Sequence, residues 1–274
     1  MSRPCAGCKP IAVRSLTGPA EHDASARPGQ HPDDAGPSVR RTTMLQGLSQ
    51  KFRGGCMMLV REQEQDLSFL GTAFLVHPQG YLLTAAHLAH RSEGLHVVPT
   101  HPNDEFTPMT IDRAAALAVA VVASDTAHDS ALLRIEQPLD IAVPDDFLGS
   151  ADQVRTGASI LSLGYAFGHE QLHEVIAVGG HVAAKIRSPN DTRLILFDNM
   201  VQDGDIGGPL IHAGDGHIVG LVSGRFDPTE VVRGATDWDR RPPHDTNISF
   251  AVAIDYGLEL MARAGLLAGT GGAG

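Results

Sequence analysis

From residue 56 onward the chain is a succession of short apolar runs broken by turn residues. The first series reads "CMMLVRE", "LSFLGTAFLVH", "GYLLTAAH", "LHVVPT", "ALAVAVVAS" and "ALLRIE". Runs of this length, bounded by Gly, Pro, Asn, Asp and Ser, are β-strands rather than helices. A polar link that carries prolines, "QPLDIAVPDD", leads to a second series: "ASILSLGYAFG", "HEVIAVGGHVAAKI", "RLILFDN", "PLIHAGDGHIVGLVSG" and "ISFAVAI". Two series of about six strands each, with glycine-bearing turns at intervals of roughly ten residues, fit antiparallel barrels better than alternating strands and helices. Helical spacing occurs at Ile254 to Leu266, where Tyr256, Leu258, Leu260 and Met261 can share one face. The pattern predicts an all-β protein with two antiparallel six-stranded barrels, at 44–145 and 146–274, and a short C-terminal helix before a flexible Gly-rich end. Residues 1–43 are rich in Pro, Gly, Ser, Asp and Arg without apolar period, which predicts a disordered tail. Met44, at its end, is an alternative translation start.

A chain of 274 residues can bury a sizeable core, so size permits an enzyme. The net charge of -11, from 21 basic and 32 acidic residues, argues against a nucleic-acid binder, and the one short basic cluster is "VRR" at Val39 to Arg41. The longest apolar run, Ala114 to Ala123, is too short to cross a bilayer, so no membrane partner is expected. Cysteines occur only at Cys5, Cys8 and Cys56, so no disulfide can staple the second half. That scarcity points to a reducing, cytoplasmic setting. "CAGC" at the start has only His22 and His31 nearby, which are poorly spaced for zinc, and the segment reads as tail. No cofactor is implied.

Three stretches carry candidate chemistry. "LLTAAHL" places His87 just after a strand, "HDSALLRIE" places Asp129 just before one, and "VQDGDIGGPL" is a glycine-rich turn. Taken singly, each has an ordinary structural explanation: an exposed histidine, a turn aspartate, a tight turn. Their order is what matters. Acyl transfer needs a base, a carboxylate that orients it, and backbone N–H groups aimed at an oxyanion, and His, Asp, nucleophile is the order found in two-barrel proteases. With these residues in place, the sequence resembles the trypsin-like, chymotrypsin-fold family and, more narrowly, its HtrA-type branch. "GTAFLVHPQGYLLTAAHL" is similar to the family's segment around the histidine and "DSALLRIE" to that around the aspartate. "LGSADQVRTGASILSLGYAFG" resembles the opening of the second barrel, and "NISFAVAI" the last strand, so the likeness runs from Gly71 to Ile254.

The resemblance implies that His87 stands at the general-base position and Asp129 at the orienting position, with oxyanion N–H groups from Gly204 and Ile206. It also implies a specificity pocket with Met200 near its floor and Val222, Ser223 and Gly224 along one wall. Ile206, however, stands where the family has serine. An isoleucine cannot form an acyl-enzyme, and its stiff, branched side chain occupies the space a scissile carbonyl would need. Ser223 and Ser249 sit on strands rather than at an oxyanion turn, and all three cysteines precede His87. Asp205 raises a separate question, because secreted relatives pair this carboxylate with a freed amino terminus, HtrA-type members often have asparagine there, and no activation-cleavage sequence precedes the first strand. These points imply a pseudoprotease that binds a peptide or protein ligand. One alternative is a working endopeptidase disarmed in this copy. Another is a metal-binding protein built on His169, His173, His181, His212 and His217, although their spacing matches no familiar ligand motif.

Overall fold

The computed structural model describes residues 37–63, 66–90, 93–99, 106–110, 114–138, 141–226 and 246–267, with side chains from residue 44 onward. Strands β1 (Cys56–Gln63), β2 (Asp66–His77), β3 (Tyr81–Thr84), β4 (Leu95–Pro99), β5 (Leu117–Asp125) and β6 (Ser130–Ile135) close one antiparallel barrel in the order β1-β2-β3-β6-β5-β4. Strands β7 (Ser159–Gly164), β8 (Ile176–Arg187), β9 (Arg193–Phe197), β10 (Pro209–His212), β11 (Ile218–Arg225) and β12 (Ser249–Ala253) close the second in the order β10-β11-β12-β9-β8-β7. The predicted all-β, two-barrel architecture is the one observed.

Alternation along the strands explains how the barrels are filled and joined. Met57, Leu59, Ala73, Leu75, Leu82, Val97, Val119 and Leu133 point into the first barrel. Their neighbours Met58, Val60, Phe74, Val76, Leu83 and Leu132 face the other way, into a core continuous with Ile160, Leu163, Phe197 and Leu210 of the second barrel. Because β1, β2 and β3 are covered on both faces, their sequences read as unbroken apolar runs instead of alternating ones.

Helix α2 (Ile254–Arg263) leaves the second barrel and crosses back over the first, with Leu260 and Met261 buried and Gly257 close against the Leu83 side chain. Burying each of those two side chains contributes roughly 1.5–3 kcal/mol. Helix α1 (Pro37–Phe52) begins inside the segment predicted as tail. It is anchored by Leu45, Leu48 and Phe52, and the Phe52 ring lies 6.2 Å from that of Phe147. Residues 1–36, with Cys5, Cys8, His22 and His31, lie outside the described residues.

Candidate active site

His87 follows β3 in a short turn after two buried alanines, and Asp129 closes the turn between β5 and β6. The His87 Nδ1–H faces both carboxylate oxygens of Asp129, at 2.9 and 3.0 Å, and the His87 backbone N–H donates to Oδ1 at 3.0 Å. The Asp129 hydrogen bond raises the histidine's pKa above its usual value, and partial burial opposes the rise. The side chain is still 49% exposed, so one imidazole edge is open to solvent. Asp129 adopts a left-handed conformation, φ 49°, which aspartate tolerates better than most residues.

The glycine-rich turn is set by backbone. Residues Asp203–Asp205 form one turn of 3-10 helix, and the Ile206 N–H donates to the Asp203 carbonyl at 3.3 Å. That donor is thus engaged inside the turn. The physical reason is local, since a 3-10 turn closes on the N–H three residues ahead. Gly207 sits at φ 88°, and a methyl group there would overlap the Thr72 carbonyl oxygen. A methyl at Gly204 would overlap the carbonyl of Tyr165, and one at Gly208 that of Leu163. Glycine is needed at all three because other backbone comes within contact of the Cα.

Two buried threonines of the first barrel clasp this turn, and the sequence reading passed over both. Thr72 Oγ1 donates to the Gly204 carbonyl at 2.7 Å and accepts the Tyr165 N–H at 3.0 Å, while the Thr72 N–H donates to the Ile206 carbonyl at 2.8 Å. Thr84 Oγ1 donates to the Thr72 carbonyl at 2.8 Å. The signal was a lone hydroxyl in each of two apolar strands, "LGTAF" and "LLTAAH". The same clasp brings the two halves together. A methyl at Gly71 would meet both the Leu88 side chain, 2.7 Å away, and the Ile206 carbonyl, 2.8 Å away, so the residue after His87 lies against the turn. The Ile206 side chain is half-buried and packs on the core shared by the barrels.

Asp205 is 9% exposed. Its Oδ2 accepts the Gln202 N–H at 3.0 Å, which identifies the partner the sequence left open. Burial pushes its carboxyl up to about 6, against the smaller lowering by that hydrogen bond.

The expected pocket residues divide. Val222 and Ser223 are buried on β11, and Gly224 follows at a bulge against β12. Met200 is 45% exposed. Its neighbours take the inward positions: the Asn199 amide donates to Ser162 Oγ and the Val201 N–H to Ser249 Oγ. The histidines of the metal reading are scattered. His169 lies edge-on to Phe69, His181 is beside Asp198, and His212 and His217 flank Asp215 at 2.9 and 3.4 Å. Among the described residues no group of three or more His, Cys, Asp or Glu could hold a metal ion.

Two closed barrels, with a His–Asp pair on the first and a clasped Gly-rich turn on the second, define a chymotrypsin-type fold. The profile of the family described as "Trypsin-like peptidase domain" matches residues 71–221. The chain belongs to this trypsin-like peptidase family, in its HtrA branch. It is 31% identical over 194 residues to a "Probable periplasmic serine endoprotease DegP-like" of Pseudomonas fulva, covering 66% of this chain and 36% of the relative. A protein of the same description from Pseudomonas putida is 27% identical over 255 residues, 92% of this chain and 46% of the relative. The chain thus spans less than half the length of these curated relatives. Among solved structures, "HtrA-type protease AlgW with tripeptide" superposes with a TM-score of 0.58 at 22% identity, covering 80% of this chain and 62% of that one. The structure "HtrA-type protease AlgW with decapeptide" gives the same TM-score at 20% identity, covering 80% and 66%. The relatives are named as periplasmic, which corrects the cytoplasmic expectation. Cysteine scarcity misled because barrels with a core this large do not need disulfides in any compartment.

Proposed function

We propose that this chain is a catalytically inactive homologue of HtrA-type proteases that binds peptide or protein ligands without cleaving them, and that, like its named relatives, it works in the periplasm. The observation that carries the reading is Ile206. By the resemblance it stands where the family has its nucleophile; its side chain is packed, and its N–H is bound to the Asp203 carbonyl. In this reading His87 and Asp129 are the remnant base and its orienting carboxylate, Gly204 and Ile206 form a closed oxyanion turn, and Val222, Ser223 and Gly224 line the ligand cleft with Met200 at its rim.

Loss of such a nucleophile costs on the order of a millionfold in turnover. Other candidates give no substitute. The Cys56 thiol is fully buried and pushed up to about 12, Ser249 Oγ is bonded to the Asn199 carbonyl, and Ser223 Oγ is turned to the Leu221 carbonyl. Peptide binding is supported by the likeness in fold to AlgW, whose solved structures hold a tripeptide and a decapeptide.

The test is fluorophosphonate labelling together with casein hydrolysis, and anisotropy binding against a peptide library. No label, no cleavage and saturable binding are expected, and labelling of the unaltered protein would sink the reading. Ile206→Ser separates it from an enzyme disarmed by one substitution. Because the turn also withholds its N–H, and one oxyanion donor is worth about 10²–10³ in rate, the revertant should remain at least a hundredfold slower than an active HtrA-type protease. Full reactivity on reversion alone would favour the disarmed enzyme.

A further inference from the structure

We propose that His128 is a positioning residue that fixes the Asp129 carboxylate on His87, acting through a turn that the second barrel holds in place. The proposal goes beyond the functional reading above and does not depend on it, because it concerns the geometry of the pair whatever the pair now does.

The reasoning starts from Asp129. Its φ of 49° is sparsely populated for any residue with a side chain, so its neighbours must over-determine the turn. From within the first barrel, Asp125 caps the turn: its Oδ1 accepts the N–H groups of Ala127 and His128 at 3.1 and 3.2 Å, and its Oδ2 accepts His128 Nδ1–H at 2.7 Å. Burial works to raise the Asp125 carboxyl, but these His128 and Ala127 hydrogen bonds outweigh it and hold it low. His128 is therefore locked at one ring edge.

Its ring face is locked by the other barrel. The imidazole stacks on Tyr256 of α2, with centroids 4.0 Å apart and planes 8° from parallel. Tyr256 is itself fixed, since its hydroxyl accepts the Arg193 N–H at 2.9 Å and the Arg193 guanidinium lies 5.7 Å from its ring. That guanidinium pairs with Asp255 at 3.1 Å. Ala127, one residue before His128, is held from the same side: its carbonyl accepts Asn190 Nδ2 at 2.9 Å and Thr192 Oγ1 at 3.4 Å, both from the β8–β9 hairpin. The residue immediately before Asp129 is thus clamped between a carboxylate of barrel one and a ring of barrel two. An aspartate in a strained conformation at the end of such a clamp is aimed, and His87 receives that aim through three hydrogen bonds.

The experiment follows His87 by NMR in the full chain, through its Nδ1–H resonance and the titration of its ring. Asp129 is the carboxylate facing the ring, and His90 Nδ1 bonds the His87 carbonyl at 2.7 Å, so His90 is assigned alongside. Asp129→Asn sets the titration endpoint with the charge opposite the ring removed. In His128→Ala the His87 Nδ1–H signal should broaden or vanish, and the titration midpoint should fall toward that endpoint. Tyr256→Phe, which keeps the ring but loses the bond from the Arg193 N–H, should shift both less than His128→Ala does. A purely structural role would lower Tm without moving the His87 signals. If His128→Ala does not fold, His128→Gln, which lacks the ring but keeps a donor for Asp125, is read the same way. Unmoved His87 signals in whichever variant folds would overturn the proposal.

Discussion

The first barrel presents its half of the site through side chains, whereas the second does so through backbone. His87 and Asp129 meet by three hydrogen bonds and stay partly open to water. The turn at 203–208 is enclosed by the carbonyls of Tyr165, Leu163 and Thr72, which approach its glycines too closely for any side chain. It is further bound to β11 by Gly207 N–H to the Val222 carbonyl and Val222 N–H to that of Gly208. A half built on side chains loses its chemistry when one of them changes. The second half is held by backbone hydrogen bonds and close carbonyl contacts, in which side-chain chemistry takes little part.

The widest separation between the halves should come from Gly207→Ala. Alanine must hold φ near 88° and overlap the Thr72 carbonyl, which belongs to backbone that itself holds the turn. We expect a loss of about 4 kcal/mol in urea unfolding, near the upper end for a single substitution. A loss below about 1 kcal/mol, the usual cost of a modest Gly change, would mean the turn is pliable and the contrast false.

Asp205→Asn tests the turn from its charge. The carboxyl is held near 6 in the fold against an ordinary value of 3.8, so the native state favours the protonated form. The sign follows directly. This group's stabilising contribution is complete below 3.8 and is lost as pH rises through 6, leaving a buried carboxylate that costs about 3 kcal/mol at neutral pH and above. Asparagine keeps an oxygen for the Gln202 N–H and carries no charge. Thermal unfolding at pH 8 should show the variant gaining up to that amount, with the difference closing by pH 4. An equal difference at both pH values would locate the effect in packing instead of ionisation.

The same division governs what could be read from the residues alone. Twelve strands were legible because each is a short apolar run between turn formers, and His87 and Asp129 because side-chain chemistry leaves a motif. Helix α1 was hidden, since Leu45, Leu48 and Phe52 are three anchors in otherwise polar text interrupted by Gly47. The exposure of Met200 was not legible, because it follows from Asn199 and Val201 taking the inward positions on either side. The hydrogen bonding of the glycine-rich turn was hidden for a deeper reason. The letters "GDIGGP" specify where side chains cannot fit, but whether the Ile206 N–H meets the Asp203 carbonyl depends on how the Asp203–Gly204 peptide plane is rotated, and the glycine permits more than one rotation.

The smallest effect is expected on the side-chain half, from Asp129→Asn. Asparagine tolerates the left-handed backbone as well as aspartate does, and its oxygen can still accept the His87 N–H. What disappears is the charge opposite a histidine that is 49% exposed, where pairs contribute about 1 kcal/mol or less. The sign is opposite to that of Asp205. The folded pKa of His87 is raised, so the pair's contribution is fully present below 6.5 and is lost as pH rises through the higher folded value. Calorimetry at pH 5.5 should therefore show a slight loss of Tm in the variant, and at pH 9 none. A loss of several kcal/mol at either pH would show that the first barrel depends on this pair as strongly as the second depends on its glycines, and the contrast between the halves would then be gone.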